Sequence, residues 1–151
     1  MRSGVIWMTR NIIDLINLKI KELQKNLLHL EQVSKVVNKE NLKEDIIRYW
    51  GIERGLHISV ECVLDISNII ISSLGLERPE SYRETILTLY KQGIIPEKFA
   101  KQISGMASFR NILVHDYTRL DEDVVLDILK NRLNDFSVFI KYINKYLEEN
   151  Y

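Results

Sequence analysis

Residues 11–30 read NIIDLINLKIKELQKNLLHL, and the spacing of their apolar members decides the fold. Ile12, Ile16, Ile20, Leu23, Leu27 and Leu30 follow one another at steps of 4, 4, 3, 4 and 3. Such steps place them on one stripe of an α-helix, with Lys19, Lys21, Glu22, Gln24 and Lys25 on the other faces. Strict alternation, the mark of a half-buried strand, is never sustained.

Working outward, Asn38-Lys39-Glu40-Asn41 is a polar break. Asn41 followed by Glu44 reads as a capping box that opens a second helix from about Leu42 to Ser73. Its apolar positions include Ile46, Tyr49, Trp50, Leu56, Val60, Val63, Leu64 and Ile70. Gly51 and Gly55 lie in its interior, where each costs about 1 kcal/mol against Ala. Close packing against a neighbouring backbone is the expected compensation. Ser81 with Glu84 is a second capping box, opening a short helix to about Lys91 that Gly93 ends. Pro96 suits the first turn of another short helix, expected to run into Met106–Val114. Thr118–Leu120 is a turn with Asp121 as the following N-cap. Val125, Ile128, Leu129, Phe136, Phe139, Ile140, Ile143 and Leu147 stripe a last helix. The expected fold is all-α, an antiparallel bundle of about four main helices plus one or two short ones. Residues 9–151 form a single domain in this reading, and residues 1–8 are peripheral.

Composition agrees. Gly and Pro together are 8 of 151 residues, about half the usual share, so turns are few and helices long. Lys+Arg and Asp+Glu are 21 each, which excludes a uniformly basic nucleic-acid binder and leaves room only for a local basic patch. Cys62 is the one cysteine, so no disulfide framework and no cysteine-based zinc site can form. A lone thiol fits a cytoplasmic compartment. The apolar run Ile69–Ile71 is far short of a membrane span, and no membrane association is expected. The segment Met1–Met8 lacks the apolar stretch of a signal peptide, and Met8 is an alternative start.

Three histidines are available for chemistry near neutral pH. His29 borders the apolar stripe of the first helix and reads as a boundary residue. Glu53, His57, Glu61 and Asp65 recur every four residues and form one stripe of the second helix. A metal-binding bundle would use such a stripe together with ligands from other helices, often as Glu-x-x-His, and that pair is absent. A charged face with i,i+4 contacts is the favoured reading, and no metal ligand is assigned.

His115 stands in Phe109-Arg110-Asn111-Ile112-Leu113-Val114-His115-Asp116-Tyr117. Polar groups flank an apolar core, so the segment reads as partly buried with polar ends. In an unbroken helix Arg110 and His115 would differ by about 140° in direction, whereas Asn111 and His115 share a face. A long Arg side chain, or a helix ending near Val114, would bring both to one cleft. As a bare pattern, Arg-x4-His is also what a buried Arg–Asp pair with a capping His looks like.

Arg110-x4-His115-x-Tyr117 is the Arg-x4-His-x-Tyr signature of HEPN-domain ribonucleases, and the chain resembles the HepT toxin family among them. Glu53-Arg54-Gly55-Leu56, Glu61 and Asp65-Ile66 are similar to that family's second helix. Leu76, Pro79 and Ser81-Tyr82 resemble its mid-chain turn, and Gly93-Ile94-Ile95 with Met106–His115 resemble its third block. The likeness runs in order from about Arg48 to Leu120, with His57 standing where the family pattern has Gln.

The resemblance implies a HEPN-like bundle, a homodimer, and a metal-independent endoribonuclease with no cofactor of its own. Arg110 and His115 would be catalytic, with Asn111 and Asp116 in support. It also implies an MntA-like minimal nucleotidyltransferase as antitoxin, using ATP to transfer AMP to Tyr117. Lys98, Lys101, Arg110 and Arg119 would rim an RNA site. A noncatalytic HEPN module that docks a nucleotidyltransferase is the alternative, and a metal-binding bundle built on His57 a third reading.

Overall fold

The structure, a computed structural model, describes the backbone of residues 3–106 and 122–151, with side chains from Thr9 onward. Helix α1 spans Ser3–Ser34, α2 Ile46–Ser73, α3 Tyr82–Lys91 and α4 Glu97–Ser104. After residues 107–121 come α5 (Glu122–Asp127), a π-helical turn (Ile128–Arg132) and α6 (Leu133–Asn150). No strand occurs among the described residues. The all-α bundle expected from the sequence is the observed architecture.

The stripe that opened the reading is the core face of α1. Ile16 and Leu23 are fully buried, and Ile20, Leu27 and Leu30 nearly so. α1 packs most extensively on α2, and α6 contacts both. α3 and α4 pack together beside α2. Because α2 is covered by α1, α3 and α6, it is apolar on more than one side. Its best 18-residue window has mean hydropathy 1.4, which by length and composition is enough to cross a bilayer, yet 56% of that window is buried within the bundle. The sequence reading, which considered only the Ile69–Ile71 run, did not register this window. The two buried serines of the helix bond back to its own carbonyls. Ser59 Oγ donates to Gly55 O at 2.8 Å and Ser67 Oγ to Val63 O at 2.7 Å.

Three details correct the sequence reading. First, α2 starts at Ile46 with Asp45 as its N-cap, accepting from Arg48 N at 3.0 Å. Asn41 is engaged elsewhere: it exchanges hydrogen bonds with Asn38 (2.8 and 2.9 Å) and donates to Val36 O. These bonds shape the α1–α2 connection and bury Leu42 ahead of the helix. Second, Ile46 and Trp50 face outward, 48% and 61% exposed, and with Ile47 they leave an apolar patch on the first turn of α2. Third, the C-terminal helix is not uniform: the π-helical turn interrupts it at Ile128–Arg132.

Ser81 is the N-cap of α3 as expected, while the carboxylate half of the capping box shifts by one residue, Glu84 Oε2 accepting from Glu80 N at 3.3 Å. Ser81 Oγ accepts from Glu84 N at 3.1 Å, and Gly93 closes α3 with φ +74°, a left-handed conformation that favours glycine. The two α2 glycines differ. A Cβ on Gly55 would stand 3.0 Å from Leu30 Cδ2, so α1 does approach closely there. A Cβ on Gly51 would meet nothing within 4 Å, so packing does not explain that glycine. Gly51→Ala is therefore expected to raise stability by about 0.5–1 kcal/mol, because the helix loses only backbone entropy by carrying Gly. A urea titration would check this, and a lower midpoint would show that Gly51 serves a purpose inside the fold.

Candidate functional site

Arg110, Asn111, His115, Asp116 and Tyr117 all fall within residues 107–121, outside the described residues. The structure does describe how the chain is held on either side of them. Upstream, α4 ends at Ser104 and Gly105 caps it. Met106 follows, 2% exposed. The large apolar side chains of α4, Phe99 and Ile103, are buried, and the Phe99 ring lies tilted on Tyr142 of α6 with centroids 5.1 Å apart. Downstream, α5 is seated by Val125, which is fully buried. Lys43 Nζ lies 2.9 Å from Glu122 Oε1, and Lys39 Nζ lies 3.5 Å from Asp123 Oδ1. These exposed pairs join α5 to the α1–α2 connection, each contributing little energy.

The last turn of α4 is gripped by polar groups the sequence reading passed over. A helix end leaves carbonyls without partners. Here Arg132 Nη2 donates to Gln102 O at 2.7 Å, and the Tyr82 hydroxyl donates to Ile103 O at 3.3 Å. Arg132 Nε also donates to Asp135 Oδ2 at 3.2 Å, and Gln102 Nε2 donates to Asp135 Oδ1 at 2.5 Å. Asp135 is 4% exposed, a buried carboxylate with both oxygens engaged. Burial, with the Asp135 charge adding to it, pushes the Tyr82 phenol well above its ordinary range, so it stays a donor. The sequence does carry a signal for this cluster. Asp135 sits seven residues after Ile128 and four before Phe139, on the apolar stripe itself.

The histidine stripe of α2 does not assemble into a ligand set. Asp65 turns to α1, its Oδ2 3.3 Å from Lys19 Nζ, and that hydrogen bond raises the Lys19 pKa. His57 Nε2 stands 3.7 Å from Glu61 Oε1 in an i,i+4 pair. Among the described residues no group of three or more His, Cys, Asp or Glu side chains is placed to hold a metal ion. Lys19 and His57 each have a carboxylate beside them, as on a solvated polar face. His29 is exposed and borders a groove between α1 and α2 of about 410 Å³. Cys62 is buried, and that burial pushes its thiol up to about 12, so it is an inert core residue. Of the expected basic rim, Lys98 and Lys101 are exposed, with Lys101 3.2 Å from Glu97; Arg110 and Arg119 lie outside the described residues.

The fold defines the class: an all-helical bundle in which two short helices precede the Arg110–Tyr117 segment and a long C-terminal helix follows it. The profile of the Ribonuclease HepT-like family matches residues 23–143, most of the chain. The chain belongs to the HepT-like ribonuclease family. It is 28% identical over 130 residues to the mRNA nuclease HepT of Shewanella oneidensis, covering 86% of this chain and 96% of that protein. It is 31% identical over 95 residues to the tRNA nuclease HepT of Aphanizomenon flos-aquae, covering 63% of this chain and 65% of that one. Among solved structures it is similar to the tri-AMPylated HEPN toxin of Shewanella oneidensis in complex with MNT antitoxin. The TM-score is 0.77 at 28% identity, over 87% of this chain and 98% of that one.

Proposed function

We propose that this chain is the toxin of a HEPN/MNT toxin–antitoxin pair, a cytoplasmic endoribonuclease that works as a homodimer. The observation that carries the reading is near-complete coverage of a nuclease relative by a chain that also holds Arg110-x4-His115-x-Tyr117. Arg110 and His115 suit the chemistry. Cleavage begins when the ribose 2′-hydroxyl loses its proton and attacks the adjacent phosphorus. It ends when the 5′-oxygen leaves and gains a proton, giving a 2′,3′-cyclic phosphate and a 5′-hydroxyl. His115, with an unperturbed pKa near about 6.5, can take or give these protons. Arg110 can hold the phosphate oxygens with paired hydrogen bonds as negative charge accumulates. Asn111 and Asp116 support these two. Neither role calls for a metal ion. Each chain offers one motif histidine, and a twofold dimer supplies the second. The exposed Ile46, Ile47 and Trp50 are apolar surface of the sort such an interface covers.

Tyr117 is the proposed control point. Its phenol oxygen would attack the α-phosphorus of ATP in the active site of the partner nucleotidyltransferase. Pyrophosphate would leave, and the phenol proton would pass to a base of the partner. The new phosphodiester places negative charge beside Arg110, where it competes with RNA. Co-expression with a cognate nucleotidyltransferase should therefore add AMP, read by intact-mass and peptide mass spectrometry, and silence cleavage. Tyr117→Phe should escape the modification at that position and stay toxic. AMP found only elsewhere would refute the Tyr117 assignment. A partner complex that forms around a chain with no ribonuclease activity would replace the nuclease with a docking module.

A further inference from the structure

The polar cluster at the end of α4 has more parts than a helix end needs. Gln102 O, already reached by Gly105 N at 3.4 Å, takes a second hydrogen bond from Arg132 of the π-helical turn, and Ile103 O is bound by Tyr82 of α3. The guanidinium is itself held by a buried carboxylate, Asp135, whose second oxygen is bound by the Gln102 side chain. Gln102 is thus gripped at both its backbone and its side chain by the same Arg132–Asp135 pair. Gly105 leaves room for this: a Cβ there would stand 3.1 Å from Arg132 Nη2. The backbone at Gly105 has φ −58°, so its conformation does not call for glycine; the space beside the guanidinium does. Arg132 ends the π-helical turn, a feature that often marks functional sites because it re-aims the side chains after it.

Arg110 is five residues beyond Gly105 in the sequence. We infer that the Arg132–Asp135–Gln102 clamp is a positioning device for cleavage: it fixes the end of α4, the last described turn before the segment that carries Arg110 and His115. Arg132, Asp135 and Gln102 are positioning residues, acting through Arg110 and His115. The inference rests on the nuclease reading for its consequence, but the clamp itself is testable without it.

The test uses Arg132→Lys and Gly105→Ala in the full chain, with Arg132→Ala as a third variant. Lysine keeps the charge but cannot bridge Gln102 O and Asp135 with one rigid fork. Alanine at position 105 presses on the guanidinium, which must shift by a few tenths of an ångström, and leaves every partner in the chain. Hydrogen exchange read by mass spectrometry should quicken at least about tenfold in peptides covering residues 99–106 and stay unchanged in those of α1. Unchanged exchange at 99–106 in all three variants would overturn the clamp, whatever the activity. In RNA cleavage, kcat should fall at least about tenfold in each variant while KM moves less than about twofold, since binding groups remain but alignment is lost. Millimolar guanidinium should partly restore Arg132→Ala, because it can refill the vacated fork. Wild-type kcat in all three folded variants, with exchange quickened, would show a purely structural clamp and overturn the positioning role. No cleavage by the wild-type dimer would instead count against the nuclease reading, and the exchange data would still judge the clamp.

Discussion

RNA cleavage by the purified protein should fall by about a hundredfold to ten-thousandfold on His115→Ala, and by about a hundredfold to a thousandfold on Arg110→Ala. Loss of a general acid or base alone costs about 10²–10⁴. Loss of a charged donor to a developing oxyanion costs about 10²–10³. The two should not multiply in the double variant, because each group is useful only while the other holds the phosphate in place. Thermal midpoints should stay within a few degrees of the parent, which separates lost chemistry from lost fold. Cleavage should also persist in excess chelator. If chelation stops the reaction and added metal restores it, the acid–base mechanism through His115 is wrong. Full activity in His115→Ala would move the site elsewhere in the chain.

A stability effect of similar weight is expected at the centre of the bundle. Phe136 is fully buried on α6, next in sequence to Asp135 and one turn past the π-helical turn. Phe136→Ala removes a ring and leaves a cavity, at a cost of about 3–5 kcal/mol. Domains of this kind have about 5–15 kcal/mol in total, so at least about a fifth of the stability is at stake. The thermal midpoint should drop by about 10 °C or more. A loss below about 1 kcal/mol in a urea titration would mean that the α6 core is not packed as described. The same variant should lower the protection of the 99–106 segment, because the π-helical turn and α6 carry Arg132 and Asp135 toward α4.

The helical class of the protein was legible because helix burial is periodic in sequence. The stripe from Ile12 to Leu30 needs only 3.6-residue geometry to be read, and its members from Ile16 onward are buried as a set. Ser81, Glu84 and Gly93 were legible for the same reason: caps are local, and their chemistry lies within four residues. Asn41 misled because two neighbouring polar residues competed to cap one helix. Asp45 took that place while Asn41 bonded back to Asn38 and Val36. The outward turn of Ile46 and Trp50 was hidden as well, since an apolar side chain at helical spacing looks the same facing core or solvent.

The candidate site divides in the same way. Arg110, His115 and Tyr117 stand within eight consecutive residues, so a short motif carries them, and its resemblance to the HepT family is what points to RNA chemistry. Gln102, Arg132 and Asp135 are separated by up to 33 positions, and no local rule joins them. Only the packing of α4 against the π-helical turn and α6 brings an orphaned carbonyl, a guanidinium and a buried carboxylate within hydrogen-bonding distance. Sequence thus determined what depends on neighbours along the chain: the helices, the Ser81 cap and the spacing of the Arg110-x4-His115-x-Tyr117 motif. Tertiary structure alone decided what depends on neighbours in space. It turned Asp65 of the His57 stripe to Lys19 of α1, seated α1 against Gly55, and assembled the clamp at the end of α4.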